Sequence, residues 1–288
     1  MDQSSPPRRL DFKDHRRSLG ENRYVYPVVS RRSGGLSIGI NLNPDKVCNF
    51  DCPYCQVNRT VAPTIKNVDE DLLLAELGQL LEWAASGSLW ERAPFNTVKP
   101  SHRRLCDIAF SGDGEPTSYS GLAGLIDRVA DLRDASGFGE VPLVAITNAS
   151  LFHREAVSQA LERLHQRGGC IWAKLDAGSE SYFQWVCGTS LSLARICTNI
   201  ESAAKKWPIH IQSMFLAKNG EAASSEEIDA WGERLQELVS SGAKIERVQV
   251  YTVARDPADP QLGPLTEAQL EAIADRARAC GLVAEVYP

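Results

Sequence analysis

Three thiols, Cys48, Cys52 and Cys55, stand within eight residues at C-x3-C-x2-C spacing. Thiolates this close, in a loop able to fold back on itself, suit a metal centre, and two of them can instead pair as a disulfide. A closed structural zinc site takes four ligands, whereas a cube-shaped iron–sulfur cluster held by three thiolates keeps one iron open. The other five cysteines (Cys106, Cys170, Cys187, Cys197 and Cys280) contain no C-x-x-C pair, so neither a disulfide framework nor a second metal motif is visible. Cys197 shares an apolar stripe with Leu193, Ile200 and Ala204, and Cys280 continues one from Ile273 and Ala277; both read as small buried hydrophobes. Cys187 reads as a loop residue.

A second group lies at Ser111-Gly112-Asp113-Gly114-Glu115-Pro116-Thr117. Two glycines let a backbone approach a ligand closely, and Glu115 offers a carboxylate to an ammonium. Arg31-Arg32, ahead of Gly34-Gly35, can grip a phosphate or carboxylate, or simply form a solvated basic turn.

These residues need elements to hold them. Alternation predicts strands at 36–43, 105–110, 142–148, 170–176, 209–216 and 245–253, with an extra one at 283–287. Helices with a 3.6-residue apolar stripe are expected at 69–85, 121–135, 153–166, 192–206, 226–240 and 266–279. Six βα repeats imply a parallel α/β sheet, either open and doubly wound or a partial barrel. Several strands are apolar on one face only: Ile171, Ala173 and Leu175 oppose Trp172, Lys174 and Asp176, and Ile209, Ile211 and Phe215 oppose His210, Gln212 and Met214. Strands covered by helices on both faces read as continuous apolar runs. The alternation therefore favours a partial (β/α)6 barrel around a polar cavity, with the cysteine loop and the Gly112–Glu115 turn at its C-terminal edge, where barrel enzymes build their sites.

Composition bounds the rest. Residues 1–35 carry eight Lys or Arg against four Asp or Glu, and the remainder 23 against 33, an acidic body that gives little support for a broad nucleic-acid surface. No apolar run reaches the ~18 residues of a membrane span and no signal-peptide core is visible, so a cytoplasmic protein is expected. Residues 1–23 read as a loosely ordered basic arm and 24–288 as one domain with an insertion at 86–104, whose aromatic and proline content favours an ordered cover.

The cysteine spacing, with Tyr54 before the last thiol, and Gly112-Asp113-Gly114-Glu115 together resemble the radical S-adenosylmethionine (SAM) superfamily. Asp113 is inserted relative to that superfamily's commonest Gly-Gly-Glu segment. Ser30-Arg31-Arg32, Gly39-Ile40-Asn41-Leu42, Ser111 to Thr117 and Leu175-Asp176-Ala177 extend the resemblance to its wyosine-synthase-like Fe–S oxidoreductase branch, over about residues 24–255. The resemblance implies a [4Fe–4S] cluster on Cys48, Cys52 and Cys55, whose open iron chelates SAM. It implies reductive cleavage to a 5′-deoxyadenosyl radical that abstracts hydrogen from substrate. Gly112, Asp113, Gly114 and Glu115 would lie at the methionine amine and Tyr54 near adenine, with Asn148, Lys174, Asp176 and Gln212 toward ribose, carboxylate or substrate. Tyr251 and Val253 would border adenine, while Arg255 can anchor a substrate anion. A flavodoxin or ferredoxin would supply the electron. No cysteine precedes Cys48, whereas the wyosine-forming enzymes carry additional N-terminal cysteines for a second cluster, so wyosine synthesis itself is not expected. A small polar molecule or modified nucleotide is the expected substrate, and RNA or tRNA modification, which the branch resemblance and basic arm support and the acidic body opposes, is the alternative. The non-enzyme alternative, a binding protein stabilised by zinc or a cluster, predicts a fourth ligand near the loop, and neither His15 nor His102 has suitable spacing.

Overall fold

A computed structural model describes residues 20, 22–255 and 257–288. Most of the basic arm expected over 1–23 lies outside the described residues. Eight strands form one sheet in the order β1-β2-β3-β4-β5-β6-β8-β10. They are β1 (Val25–Ser30), β2 (Gly35–Ile40), β3 (Leu105–Phe110), β4 (Leu143–Thr147), β5 (Cys170–Lys174), β6 (Ile209–Met214), β8 (Ile245–Tyr251) and β10 (Ala284–Tyr287). Two short strands, β7 (Ala217–Lys218) and β9 (Leu262–Gly263), pair separately. Only β1 runs antiparallel in the large sheet, a hairpin partner of β2; every other pairing in it is parallel. The sheet curls into a half-barrel, as the alternation anticipated.

The helices are α1 (Glu70–Ser86), α2 (Leu122–Ala135), α3 (Glu155–Gln166), α4 (Glu180–Cys187), α5 (Leu193–Lys206), α6 (Ser225–Ser240) and α7 (Glu267–Ala279). They cover the outer strand face. Ile38, Ile40, Ile108, Phe110, Ile171, Ile211, Val248 and Val250 pack there against stripes such as Leu73, Leu77, Leu80 and Leu81 of α1. α1 starts on the Asp69 side chain, which accepts from the Asp71 and Leu72 amides, and stops at Gly87 at φ +78°. Its buried Glu76 accepts from the amides of Arg23, Tyr24 and Val25, fixing the start of β1.

Registers put Lys174 beside Gln212, Gln212 beside Gln249 and Met214 beside Tyr251 on the inner face. That face carries Lys174, Gln212 and Gln249 toward the C-terminal edge, with an apolar patch of Ala109, Val144, Ile146 and Trp172 over β3 to β5. The hairpin tip reaches across the open side: Arg31 donates to the carbonyls of Thr252 (3.0 Å) and Tyr287 (3.1 Å) and to Pro288. Burial and the neighbouring Arg32 bring the Arg31 pKa down to about 10.

The 86–104 insertion is ordered. It makes three short 3-10 turns and buries Leu89, Phe95 and Val98. It joins the end of α1 to the start of β3, so it covers the N-terminal edge of the sheet, opposite the cysteines. α4 falls where only a loop was expected; Cys187 is its last residue and is buried, while Cys197 and Cys280 are half-buried against the core. No helix among the described residues is long and apolar enough to cross a membrane.

Candidate metal and cofactor site

The cysteines occupy the loop that leaves the C-terminal end of β2. All three are half-buried free thiols. Neighbouring segments fix this loop. The Asp51 amide donates to the carbonyls of Cys187 and Gly188, both at 3.2 Å, where α4 ends. Gly188 holds φ +57°, and a Cβ there would lie 2.0 Å from the Asp51 carbonyl oxygen, so only glycine fits. Cys52 Sγ lies 3.5 Å from the Cys187 carbonyl oxygen. The Cys187 side chain holds the Cys52 thiol below its usual pKa, against burial and with help from Lys174, while burial pushes the Cys48 thiol up.

On the other flank lies the Gly112–Glu115 turn. A Cβ at Gly112 would sit 2.3 Å from Asn41 Oδ1, and one at Gly114 would sit 2.2 Å from the Val47 carbonyl oxygen. The glycines thus let the turn press on the cysteine loop. Asn41 completes the join: its Nδ2 donates to Asp113 Oδ2 (2.9 Å) and its Oδ1 accepts from the Asp113 and Asn43 amides.

Glu115 is 3% exposed. It accepts from the Thr117 amide (3.1 Å), Thr117 Oγ1 (2.5 Å), Thr147 Oγ1 (2.6 Å) and the Asn148 amide (2.7 Å). Three of these donors crowd Oε1, while Oε2 accepts from the Asn148 amide. Glu115 therefore ties the end of β3 to the end of β4. Burial raises its pKa, against its hydrogen bonds. Asn148, oriented by Glu115, donates from Nδ2 to Asn49 Oδ1 (2.8 Å) in the cysteine loop.

The remaining expected residues gather across the top of the half-barrel. Tyr54 donates to Asp176 Oδ2 (2.5 Å), Lys174 Nζ lies 3.0 Å from the same oxygen, and Lys174 donates to the Tyr251 hydroxyl (2.7 Å). Burial, then the charge of Asp176, hold the Tyr54 hydroxyl well above its usual pKa. Burial opposes the charge on Lys174, but Asp176 and Tyr251 outweigh it and keep the ammonium. Tyr54, Tyr251 and Val253 line a cavity of about 130 Å³, together with Arg31, Arg32 and Arg255. Gln212 stands apart from that cavity, bonded to Gln249 (2.7 Å), and its Oε1 has no partner among the described residues.

Arg59, unremarkable in the sequence, donates to the Lys46 carbonyl (3.1 Å), Cys55 Sγ (3.1 Å) and the Asp113 carbonyl (3.2 Å). Asn41 and Thr147, at strand ends, and Asn49, in the cysteine loop, also carry the site's connections.

The loop offers three thiols as donors to a metal centre. Among the described residues, no three His, Cys, Asp or Glu side chains converge as a single ion requires. A tetrahedral zinc site needs four ligands drawn to one point. A cube-shaped cluster is gripped at separate corners, so three thiols spaced along one loop fit it.

No protein-family profile matches the chain. A UPF0026 protein of Methanocaldococcus jannaschii is 32% identical over 131 residues, 46% of this chain and 34% of that protein. The matched stretches span between 23% and 38% of the lengths of the curated relatives. A radical SAM methyltransferase from Sphaerobacter thermophilus superposes with a TM-score of 0.62 at 13% identity, over 88% of this chain and 66% of that one. TYW1 with a lysine-pyruvate adduct bound superposes with a TM-score of 0.54 at 15% identity, over 84% and 73%. The fold that the motifs led us to expect is the fold the chain has.

Proposed function

We propose that this chain, which carries the radical SAM fold, is an enzyme of that superfamily acting on a small polar molecule. The observation that carries the reading is the junction of its two motifs: the three-thiol loop and the Gly112–Glu115 turn are pressed together at the C-terminal edge of a curled parallel sheet. Cys48, Cys52 and Cys55 would hold a [4Fe–4S] cluster, with the turn from Gly112 to Glu115 facing the amine of SAM. When bound, the cluster supplies the electron that cleaves SAM to a radical able to take a hydrogen atom from substrate.

The protein's own work is orientation. Glu115 and Asn148 fix the loop beside Cys48, while Asp176 fixes the Tyr54 ring over the cavity where adenine would lie. Lys174 keeps its charge against Asp176 and so helps hold that carboxylate and the Tyr251 hydroxyl in place. The acidic body argues against an extended RNA surface. Anaerobic reconstitution with iron and sulfide tests the reading. A brown protein that yields 5′-deoxyadenosine from SAM and dithionite is expected, and loses that activity when Cys48, Cys52 or Cys55 becomes Ala while Cys106→Ala retains it. Colourless protein holding one zinc per chain would end the proposal.

A further inference from the structure

Arg59 is the one cation that donates to an expected cluster ligand among the described residues, and its guanidinium spans three segments. It meets the turn before Cys48 through Lys46, the last ligand through Cys55 Sγ, and the Gly-Asp-Gly-Glu turn through Asp113. The fork geometry matters: arginine presents N–H groups in several fixed directions, which a lysine ammonium on a flexible stem cannot copy. Lys46 has φ +61°, and its ammonium donates to the carbonyls of Asn58 and Val61, so the chain on both sides of Arg59 is held by reciprocal contacts.

We infer that Arg59 is a positioning residue that sets the reduction potential of the centre held by Cys48, Cys52 and Cys55 and couples that centre to SAM binding. The inference rests on the proposed function. A hydrogen bond and a positive charge on a ligand sulfur favour the more negative, reduced state, so Arg59 raises the midpoint potential. No bond is made or broken: one electron leaves the external reductant and enters the centre. Through Asp113 the same guanidinium fixes the turn expected at the methionine amine, so SAM reaches a site whose ligand loop and amine-binding turn are already joined.

The test is potentiometry followed by electron paramagnetic resonance on reconstituted wild type, Arg59→Met and Arg59→Lys, each without and with SAM. In Arg59→Met the midpoint should move negative by about a tenfold change in the reduction equilibrium, or ~59 mV for a one-electron couple. Its apparent SAM affinity should also fall about tenfold. Arg59→Lys should recover part of the potential through its charge but not the SAM affinity. If Arg59→Met loses iron, Arg59→Lys decides the matter. A midpoint equal to wild type in the iron-loaded variants overturns the inference alone, whereas wild type that takes up no cluster overturns it together with the functional reading.

Discussion

Replacing Glu115 by Ala probes the joint that the site depends on. Its carboxylate takes four donors while 3% exposed. The two threonine hydroxyls can turn to other acceptors, but the Thr117 and Asn148 amides cannot. A stranded buried donor costs about 1–3 kcal/mol, so Glu115→Ala should lose about 2–6 kcal/mol of stability. Glu115→Gln keeps the volume and one acceptor but turns an NH2 group toward a donor, and should lose about 1–3 kcal/mol. Urea midpoints of the metal-free protein measure both. Hydrogen exchange should quicken at the Thr117 and Asn148 amides well before it does in β5. Because Asn148 holds Asn49 beside Cys48, SAM affinity of the reconstituted variant should fall further than its iron content. A loss under about 1 kcal/mol in Glu115→Ala, with both amides still protected, refutes the joint.

Other perturbations reach the site from outside. Gly188→Ala places a Cβ on the Asp51 carbonyl at a positive φ, and should cost more than about 1 kcal/mol and lower iron loading; full loading would show that the end of α4 does not brace the loop. Burial raises the Asp107 pKa, so the folded chain holds that proton more tightly than the unfolded chain. Its contribution is present below the ordinary carboxyl range and is lost as pH rises through the folded pKa. The stability of Asp107→Asn relative to wild type should therefore improve between about pH 4 and pH 7, judged against an ordinary Asp pKa near 3.9, and a pH-independent difference would contradict this.

The sequence made the sheet legible because its alternation was clean. Strand 105–110 was read at the limits it has, and the other parallel strands to within a few residues. The antiparallel pairing of β1 with β2 depends on the turn at Arg31 to Gly34 rather than on strand alternation. α4 was missed because eight residues hold too few turns to show a period. The types of the site residues were readable, but not which of them face inward. Glu115 reads as a ligand from its charge, and the structure gives it a buttressing role as well, with three donors on Oε1 between the ends of β3 and β4. Arg59 lies four residues after Cys55, where no spacing rule looks for a partner of a sulfur. Arg31 offered a choice between gripping an anion and ordinary solvation, and the fold gave it a third use.

That third use bears on the order in which the chain assembles. Arg31 joins residues 221 and 256 positions further along, across the gap between the two edges of the sheet. Loop closure over such spans is entropically unfavourable until the intervening strands have docked, and non-local contacts slow folding. The clasp therefore belongs to the last stage of folding and should be absent from the rate-limiting nucleus. Removing it, as in Arg31→Met, should speed unfolding while leaving the folding rate nearly unchanged. The rim around Tyr251 and Val253 is thus completed only after the rest of the half-barrel stands, so a cofactor that needs this rim meets it in the finished molecule.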